Sequence, residues 1–151
     1  MDFASYITGF VDGERCFSVS FNRKSKLNTG IEVRPSFSVS QHKRNKKIIV
    51  QIQNFFQCGG VRFSKNDQNY KFEVRALKDL WEKIIPHFQT YPLQTQKQKD
   101  FLLFVKICTF IRKNKHLSSN YLIKIIDLAY NMNESGKRKY KKSELLTFLV
   151  R

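Results

Sequence analysis

The sequence of 151 residues is poor in acids, with 12 Asp and Glu against 28 Lys and Arg. The resulting formal charge of +16 makes a compact chain repel itself, a cost that is reasonable when the partner is a polyanion. We therefore expect a nucleic acid as the first candidate partner and an acidic membrane surface as the second. A basic structural protein that binds RNA without catalysis is the plain alternative to an enzyme.

Long apolar runs are also missing. A representative of the longest, FLLFVKICTFI, is interrupted by Lys106 and is too short to span a bilayer, so no membrane partner is expected. The beginning of the sequence has neither an apolar signal core nor a presequence rich in Arg and Ser. An intracellular protein is therefore expected.

Cysteine and histidine are scarce, with three residues of each. The cysteines are far apart and form no C-x-x-C pair, so a zinc site is not expected. An odd number of separate cysteines favours reduced, buried thiols in an intracellular protein. The residues concerned are Cys16, Cys58, Cys108, His42, His87 and His116.

What the sequence does contain is enough apolar material for a core. Hydrophobic residues make up 41% of the chain and include fourteen Phe, and no domain boundary is visible within residues 1–151, so one domain is expected. Residues 3–13 predict a short helix. Alternating apolar and polar residues then predict two strands joined by a hairpin over residues 23–30. Pro35 lies on the apolar phase of the second strand, which indicates an edge or a bulge there.

The second half of the pattern begins with a helix that starts near Asn45 and stops at Gly59-Gly60. Two strands follow around a polar turn at residues 66–69, and the chain then becomes helical. The order is α-β-β-α-β-β-α-α, an α+β fold with a four-stranded antiparallel sheet and helices on its other face. The apolar residues that define the helix before Gly59 are Ile48, Ile52, Phe55 and Phe56. The later helical patterns cover residues 76–88, ending near Pro86, then 98–113, 119–132 and the short segment SELLTFLV, with the basic run GKRKYKK as an exposed linker.

The outward faces of the predicted strands carry Ser, Asn, Arg, Lys and Gln and few carboxylates. A two-stranded ribbon fits the major groove of DNA, where such side chains can hydrogen bond to base edges. The alternative is an ordinary solvated face, which is common in antiparallel sheets.

The first helix carries a stripe of small residues. Ser5, Gly9 and Gly13 recur at every fourth position and therefore share one face. A glycine costs roughly 1 kcal/mol in a helix interior relative to alanine, and the close approach of another helix is a reason to accept that cost. The segment LIKIIDLAYN is the nearest match within the chain but lacks the glycines. We therefore expect a second copy to supply the partner helix about a two-fold axis; the alternative is a glycine tolerated against the chain's own core.

Asp12 and Glu14 stand at the end of this helix, where the helix dipole disfavours negative charge. A bound divalent cation would reverse the sign of that cost. Because the two residues are two positions apart, they point to different sides, so one should bind a metal and the other should be structural. A carboxylate, a backbone carbonyl and water suit magnesium, which completes its shell with phosphate oxygens.

The segment YITGFVDGERCF resembles the LAGLIDADG motif, from Ile7 to Glu14 with Arg15 following. The resemblance continues past the motif, because helix, strand pair, helix, strand pair and further helices is the family's chain order. The segments VSQHKRNKKI and LQTQKQKDF also stand where the family places active-site side chains. The resemblance covers nearly the whole chain and implies a homing endonuclease of the single-motif, homodimeric type.

The resemblance also implies roles for individual residues. Glu14 matches the acid that coordinates the divalent metal at the scissile phosphate, assisted by the carbonyl of Gly13. Gln41 matches a polar residue near the nucleophilic water. Lys97 matches a lysine that stabilises charge at the phosphate or organises water. Asp12 matches an inner acid that supports the helix pair rather than the chemistry.

Three further positions either depart from the family pattern or are candidates for a catalytic role. Arg15 replaces the final glycine of the motif. His42 is a candidate general base, although histidines at helix starts are mostly incidental. Asn45 stands where a dimeric relative carries a basic residue, so that basic role falls to one of three neighbours. These neighbours are Lys43, Arg44 and Lys46.

The implied activity is hydrolysis of both strands of a long, pseudo-palindromic DNA target with magnesium, for which calcium or manganese can substitute in binding. The partners would be double-stranded DNA and a second copy, with no small-molecule substrate, and the gene would lie in an organellar intron, with the chloroplast expected first and the mitochondrion as the alternative. Two alternatives remain: an intron RNA maturase, against which Glu14 argues, and a nucleic-acid-binding protein without catalysis. The residues expected to contact DNA are Ser18, Ser20, Asn22, Lys24, Arg34, Ser36, Ser38, Arg62, Ser64, Lys71 and Arg75; those expected at the dimer interface are Ser5, Gly9, Asp12 and Gly13.

Overall fold

The computed structural model describes residues 2–14, 16–132 and 138–150. Its first six elements follow the predicted order, and further helices come after them, so the α+β prediction is confirmed. The first six are helix α1 (Phe3–Asp12), strands β1 (Phe17–Arg23) and β2 (Ile31–His42), helix α2 (Lys46–Phe56), and strands β3 (Gly60–Ser64) and β4 (Asn69–Val74). The later helices are α3 (Leu77–Asp79), α4 (Ile85–Thr90), α5 (Lys97–Arg112), α6 (Ser119–Tyr130) and α7 (Lys142–Phe148).

The four strands form one sheet in the order β1-β2-β4-β3. β4 is antiparallel to both of its neighbours, with Phe72 opposite Val39 on β2 and opposite Val61 on β3. The alternation predicted from the sequence is therefore real: one phase of β2 and β4 is buried and the next phase faces outward. The buried members include Phe37, Val39, Phe72 and Val74, and the outward members include Ser38, Ser40, Lys71 and Glu73.

Pro35 does not mark an edge strand, since β2 has a neighbour on each side in the strand order. The described pairing of β2 with β4 begins at Phe37, beyond the proline. Pro35 therefore lies where no backbone N–H is needed for a bond to β4, which is how an inner strand can accommodate it.

The chain divides into two compact units, although the sequence showed no boundary. The first comprises Met1–Phe17 and Ser36–Gln98, and the second comprises Ser18–Pro35 and Lys99–Arg151. Each buries its own apolar side chains. In the first these include a group of aromatic rings, Phe17, Phe37, Phe56, Phe72 and Phe88. In the second they include Phe101, Phe104, Ile107, Leu122, Ile125 and Ile126.

Helix α2 ends earlier than its glycines suggest. Gln57 adopts a left-handed conformation with φ of 55° and closes the helix by donating its N–H to the Gln53 carbonyl. Gly59 has a different role: a Cβ there would lie 2.5 Å from the Glu73 carbonyl oxygen, so the close approach to β4 requires glycine. The buried face also differs from the prediction, since Ile49 rather than Ile48 is fully buried and Phe55 is 41% exposed. Ile52 and Phe56 are buried as predicted.

The helix predicted to end near Pro86 continues to Thr90. A π-helical segment, Leu80–Ile84, ends two residues before the proline. The proline ring clashes with a regular helix and offers no N–H, and the wider π turn is a common way to absorb such a disturbance. Pro86 is the second residue of α4, so its missing N–H falls next to the π-helical segment rather than within a regular α-helical run.

The basic run GKRKYKK was predicted as an exposed linker. Its first two residues lie outside the described ranges, but Arg138 contradicts the prediction. Its guanidinium donates to the carbonyls of Val19 at 2.6 Å and Ala129 at 2.5 Å and lies over the ring of Tyr130 at 4.5 Å. The prediction missed this because an arginine can cap carbonyl groups that lie far away in the sequence.

The three cysteines are free thiols. Within the described ranges, no helix has both the length and the apolar character needed to cross a bilayer.

Candidate active site

The end of helix α1 fixes the acidic motif in space. The helix starts at a cap in which Asp2 accepts from the backbone N–H of Ser5 at 2.9 Å. It ends at Gly13, whose N–H bonds to the carbonyl of Phe10, and the N–H of Glu14 bonds to the carbonyl of Val11 at 3.0 Å. Glu14 is therefore held by the last turn of α1 while its side chain stays exposed.

An open pocket within the first unit collects the central predicted residues. Gly13, Glu14 and Lys97 line it together, although Lys97 comes more than 80 positions after the other two in the chain. Three further residues, Cys16, Ser38 and Ser40, complete the described lining. Ser38 was predicted to contact DNA, whereas Cys16 and Ser40 were not singled out as site residues. Ser40 could have been found from the alternation, since it shares the outward phase of Ser38 on β2.

The Cys16 thiol reports the electrostatics of this pocket. Burial, assisted by the negative charge of Glu14, raises the pKa of Cys16 to about 12, while Lys97 acts in the opposite direction. The thiol therefore stays protonated at neutral pH and is unsuited to nucleophilic attack. Opposite charges from Glu14 and Lys97 therefore act on one buried group of the pocket.

Asp12 uses its carboxylate inside its own chain. One oxygen accepts from the backbone N–H of Gln94 at 2.8 Å, and the other accepts from the N–H of Thr95 at 3.1 Å and from its hydroxyl at 2.8 Å. The sequence predicted a structural role for this acid but gave no sign of its partners, because they lie more than 80 residues away.

Gln41 is not among the described residues that line the pocket. It shares the phase of Val39 rather than that of Ser40, and its Oε1 accepts from the side chain of Asn45 at 3.1 Å. His42 caps a short 3₁₀ turn, with Nδ1 accepting from the N–H of Arg44 at 3.3 Å. Two of the candidate basic neighbours of Asn45 already have contacts: Lys43 bonds to Gln68 and Lys46 lies over Tyr70.

The stripe of Ser5, Gly9 and Gly13 is exposed in the single chain. A Cβ added at Gly9 would meet nothing within 4 Å. No side chain of the described chain therefore requires glycine at this helix position, which argues against a glycine held by the chain's own core. Arg15, the departure from the motif, lies outside the described residues.

The outward face of the first unit contains a group of basic side chains around one acid. Glu73 on β4 contacts Lys71 at 3.3 Å, Arg75 at 3.0 Å and, across to β3, Arg62 at 3.8 Å. The three basic residues were predicted to contact DNA. The acid between them was missed, because the sequence pattern gave weight to the excess of cations rather than to the positions of the few carboxylates. Ser36 and Ser64 are half-buried in the same unit.

The outward residues of the second unit show a similar arrangement. Glu32 contacts both Lys24 at 3.4 Å and Arg34 at 3.0 Å. Asn22 accepts from Lys139 at 3.3 Å, so the basic C-terminal run contributes a side chain beside β1. The remaining predicted residues, Ser18 and Ser20, are exposed.

A divalent metal fits the pocket only with help from outside the chain. Among the described lining residues, Glu14 is the sole carboxylate, and no group of three His, Cys, Asp or Glu that could hold a metal occurs among the described residues. One carboxylate, one backbone carbonyl and several waters are nevertheless a donor set that suits magnesium when substrate phosphates supply the rest. Glu14 and the carbonyl of Gly13 provide the protein part of that set.

The family model described as LAGLIDADG endonuclease matches residues 7–108. The chain belongs to the LAGLIDADG endonuclease family. The matched segment contains the motif, the outward strands and Lys97, so it includes every residue of the pocket.

Individual LAGLIDADG relatives differ in length. The probable intron-encoded endonuclease 2 of Neurospora crassa is 30% identical over 140 residues, which cover 92% of this chain and 31% of the relative. The chain spans less than half the length of the first four curated relatives that it matches.

Two solved structures of homing endonucleases resemble this chain. The homing endonuclease I-TnaI superposes with a TM-score of 0.83 at 34% identity, covering 96% of this chain and 94% of that protein. I-SmaMI, bound to its uncleaved DNA target in the presence of calcium ions, gives a TM-score of 0.86 at 30% identity. That alignment covers 95% of this chain but 47% of I-SmaMI.

Proposed function

We propose that this protein is a site-specific endonuclease that cuts both strands of DNA, acting as a homodimer. The observation that carries the proposal is the pocket in which Glu14, Gly13 and Lys97 meet. A carboxylate that can hold a metal and a cation that can stabilise phosphate charge together suit phosphodiester hydrolysis at neutral pH. Family membership and the outward basic residues on the strands support the same conclusion.

Glu14 and the carbonyl of Gly13 would hold a magnesium ion against a phosphate of the target. When bound, the metal lowers the pKa of a water and stabilises the negative charge of the transition state. Calcium accompanies the uncleaved target in the structure of I-SmaMI, and we propose that calcium or manganese can replace magnesium in binding here.

The remaining residues of the proposed site act on the phosphate and on water, and Gln41 does so from outside the described lining of the pocket. The ammonium of Lys97 would neutralise charge on the scissile phosphate, and Gln41 would orient the attacking water by analogy with its family position. The protonated thiol of Cys16 and the hydroxyls of Ser38 and Ser40 would border the substrate. The exposure of Glu14 leaves room for a duplex to approach.

Recognition of the target would rest on the outward strand residues predicted from the sequence. Serine, asparagine, lysine and arginine side chains can donate to base edges in the major groove and to phosphates. We propose that residues 1–151 serve as one such recognition and cleavage domain.

A second copy is the proposed source of the second active site. The exposed stripe of Ser5, Gly9 and Gly13 would pack against the same stripe of the partner, beside Asp12 at the end of the helix. The half-length match to I-SmaMI supports a working unit with two such domains. Two Glu14 residues related by a two-fold axis would cut one strand each and would require a pseudo-palindromic target.

The first experiment compares wild type with Glu14→Gln on DNA that joins the two exons flanking the reading frame. We expect both proteins to bind this duplex in calcium, and only wild type to cut both strands in magnesium. Glu14→Gln should reduce cleavage by at least about 10³-fold, since it removes the charge that holds the metal. Glu82→Gln, at an exposed glutamate outside the pocket, should cut like wild type.

Other outcomes identify other functions. Cleavage by wild type in EDTA would remove the metal argument. Binding without cleavage by wild type would favour a nucleic-acid-binding protein, and tight, selective binding to the host intron RNA would favour a maturase. The names of relatives such as the Neurospora protein support an intron-encoded frame, and we propose an organellar intron, in a chloroplast or a mitochondrion. The DNA flanking the frame tests this directly.

A further inference from the structure

Asp12 carries more hydrogen bonds than a residue that merely ends a helix would need. Its carboxylate accepts from two consecutive backbone N–H groups, those of Gln94 and Thr95, and from the Thr95 hydroxyl. The Thr95 hydroxyl also lies 3.3 Å from the backbone carbonyl of Asp12. All of these contacts lie within the first unit. The acid thus binds the segment that immediately precedes helix α5.

The same threonine continues the chain of contacts to Lys97. Its hydroxyl oxygen accepts from the backbone N–H of Lys97 at 3.2 Å, and its carbonyl accepts from the N–H of Gln98 at 3.0 Å. These bonds satisfy N–H groups at the start of α5, which otherwise have no partner in the helix. Asp12 therefore holds Thr95, and Thr95 holds the backbone of Lys97.

We propose that Asp12 is a positioning residue for Lys97. Asp12 and Glu14 leave the same helix end on different sides: Glu14 faces the pocket, while Asp12 binds the loop that brings Lys97 to the pocket. The proposal rests on the proposed endonuclease function. It differs from a role at the dimer interface, because the carboxylate oxygens already have partners in their own chain.

The chemistry of the contact explains why an acid is needed. Three donors converge on the two oxygens, and an ionised carboxylate is acceptor-only with room for all of them. An asparagine would present an NH₂ group toward one of the N–H donors and lose at least one bond. A displacement of about 1 Å at a catalytic group can reduce a rate by on the order of 10²-fold.

The test compares Asp12→Asn, Lys97→Met and the double variant in single-turnover cleavage of prebound target. We expect Asp12→Asn to reduce the rate by about 10-fold to 100-fold, with DNA affinity in calcium and the dimer mass unchanged. In the Lys97→Met background, Asp12→Asn should cause no further loss, because both changes remove the same contribution. Thr95→Val should behave like Asp12→Asn, and Thr95→Ser, which keeps the hydroxyl, should restore the rate.

A second measurement needs no catalysis. Amide hydrogen exchange should accelerate at Gln94, Thr95 and Lys97 in Asp12→Asn, while the amides of α6 keep their protection. Multiplicative losses in the double variant, a monomeric Asp12→Asn, or unchanged exchange at these amides would overturn the proposal. If wild type does not cut the target at all, the proposed function fails. If wild type cuts but amide exchange in Asp12→Asn is unchanged, only the positioning role fails.

Discussion

Glu73 is an acid on a face that otherwise favours a polyanion, and its three basic neighbours approach it within 3.8 Å. Its basic partners are 32–64% exposed, and ion pairs at the surface contribute about 0–1 kcal/mol to stability, so folding alone gives little reason to place the acid there. The carboxylate has another effect: it restrains Arg62, Lys71 and Arg75 and offsets part of their charge. A DNA phosphate would have to compete with Glu73 for each of these cations. The acid should therefore lower the affinity for non-target DNA more than the affinity for the target.

We expect Glu73→Gln to bind non-target duplex more tightly and to discriminate less between target and non-target. Each cation freed for a phosphate should steepen the slope of log Kd against log salt by about 0.9. Fluorescence anisotropy of both duplexes across a salt series in calcium measures this. Glu82→Gln carries the same charge change and should leave the ratio unchanged. An equal gain for both duplexes would show that Glu73 affects charge without affecting selectivity.

Sequence patterns located individual residues unevenly. Glu14, Gly13 and Lys97 were placed at one site through the motif and the resemblance, and the structure brings them together. The partners of Asp12 could not be predicted, because a carboxylate gives no sequence signal of which distant N–H groups it accepts from. Glu73 was overlooked for a related reason: its effect depends on the neighbours across two strands.

At the scale of elements, helix α1 is joined to helix α4 through a buried polar contact. The Thr8 hydroxyl donates to the carbonyl of Tyr91 at 2.9 Å and lies 3.2 Å from Nε2 of His87. Since the hydroxyl proton goes to the carbonyl, Nε2 carries a proton and donates to the hydroxyl oxygen. The rings of Phe55, Phe56 and other aromatic residues surround the imidazole. The neutral ring therefore suits this contact.

The stability of the fold should decrease as the pH falls from about 6.5 toward 4, because of His87. Burial lowers the pKa of His87 to about 4 from its ordinary value of 6.5, although the charge of Asp2 acts in the opposite direction. Between these two values the unfolded chain binds more protons than the folded chain, so unfolding becomes easier as the pH falls. The contribution of neutral His87 is complete above about pH 6.5 and declines toward pH 4.

Thermal denaturation of wild type and His87→Phe at pH 7.5 and pH 5, at one protein concentration, measures the effect. We expect the Tm of wild type to fall more between these pH values than that of His87→Phe, which cannot titrate. His116, whose pKa burial also lowers, is present in both proteins and cancels from the comparison. Equal falls in Tm would show that His87 does not carry the pH dependence.

Elements were predicted better than their ends. Alternation and helical spacing located the first six elements, because burial repeats with a period of two in strands and 3.6 in helices. The stop signals were less reliable: α2 ends at Gln57 in a left-handed conformation, and Pro86 lies inside a helical segment that a π turn makes possible. At Gln57 the carbonyl accepts from Lys83 Nζ at 2.8 Å, a contact from another element that a local stop signal does not predict.

At the scale of the whole molecule, the formal charge of +16 per copy opposes association of two copies. A dimer must therefore gain enough from the α1 contact to exceed that repulsion, and DNA would reduce the repulsion by neutralising both copies. Close packing of backbones is one such gain, and it depends on the small residues of the stripe. Gly9 is the sharpest place to test it, because its surroundings in the single chain are open.

Gly9→Leu should leave the chain folded and prevent the dimer. Leucine is a better helix former than glycine by up to about 1 kcal/mol, and a Cβ at this position meets no atom within 4 Å in the chain. The side chain would instead block the close approach of the partner helix.

For Gly9→Leu we expect a helical circular dichroism spectrum like that of wild type, a halved mass in light scattering at micromolar concentration, and loss of double-strand cleavage. Gly60→Leu, at another described glycine where an added Cβ meets open space, should keep the wild-type mass. A Gly9→Leu protein that still sediments as a dimer would place the interface elsewhere, and a monomeric wild type that cuts both strands would remove the homodimer from the proposed mechanism.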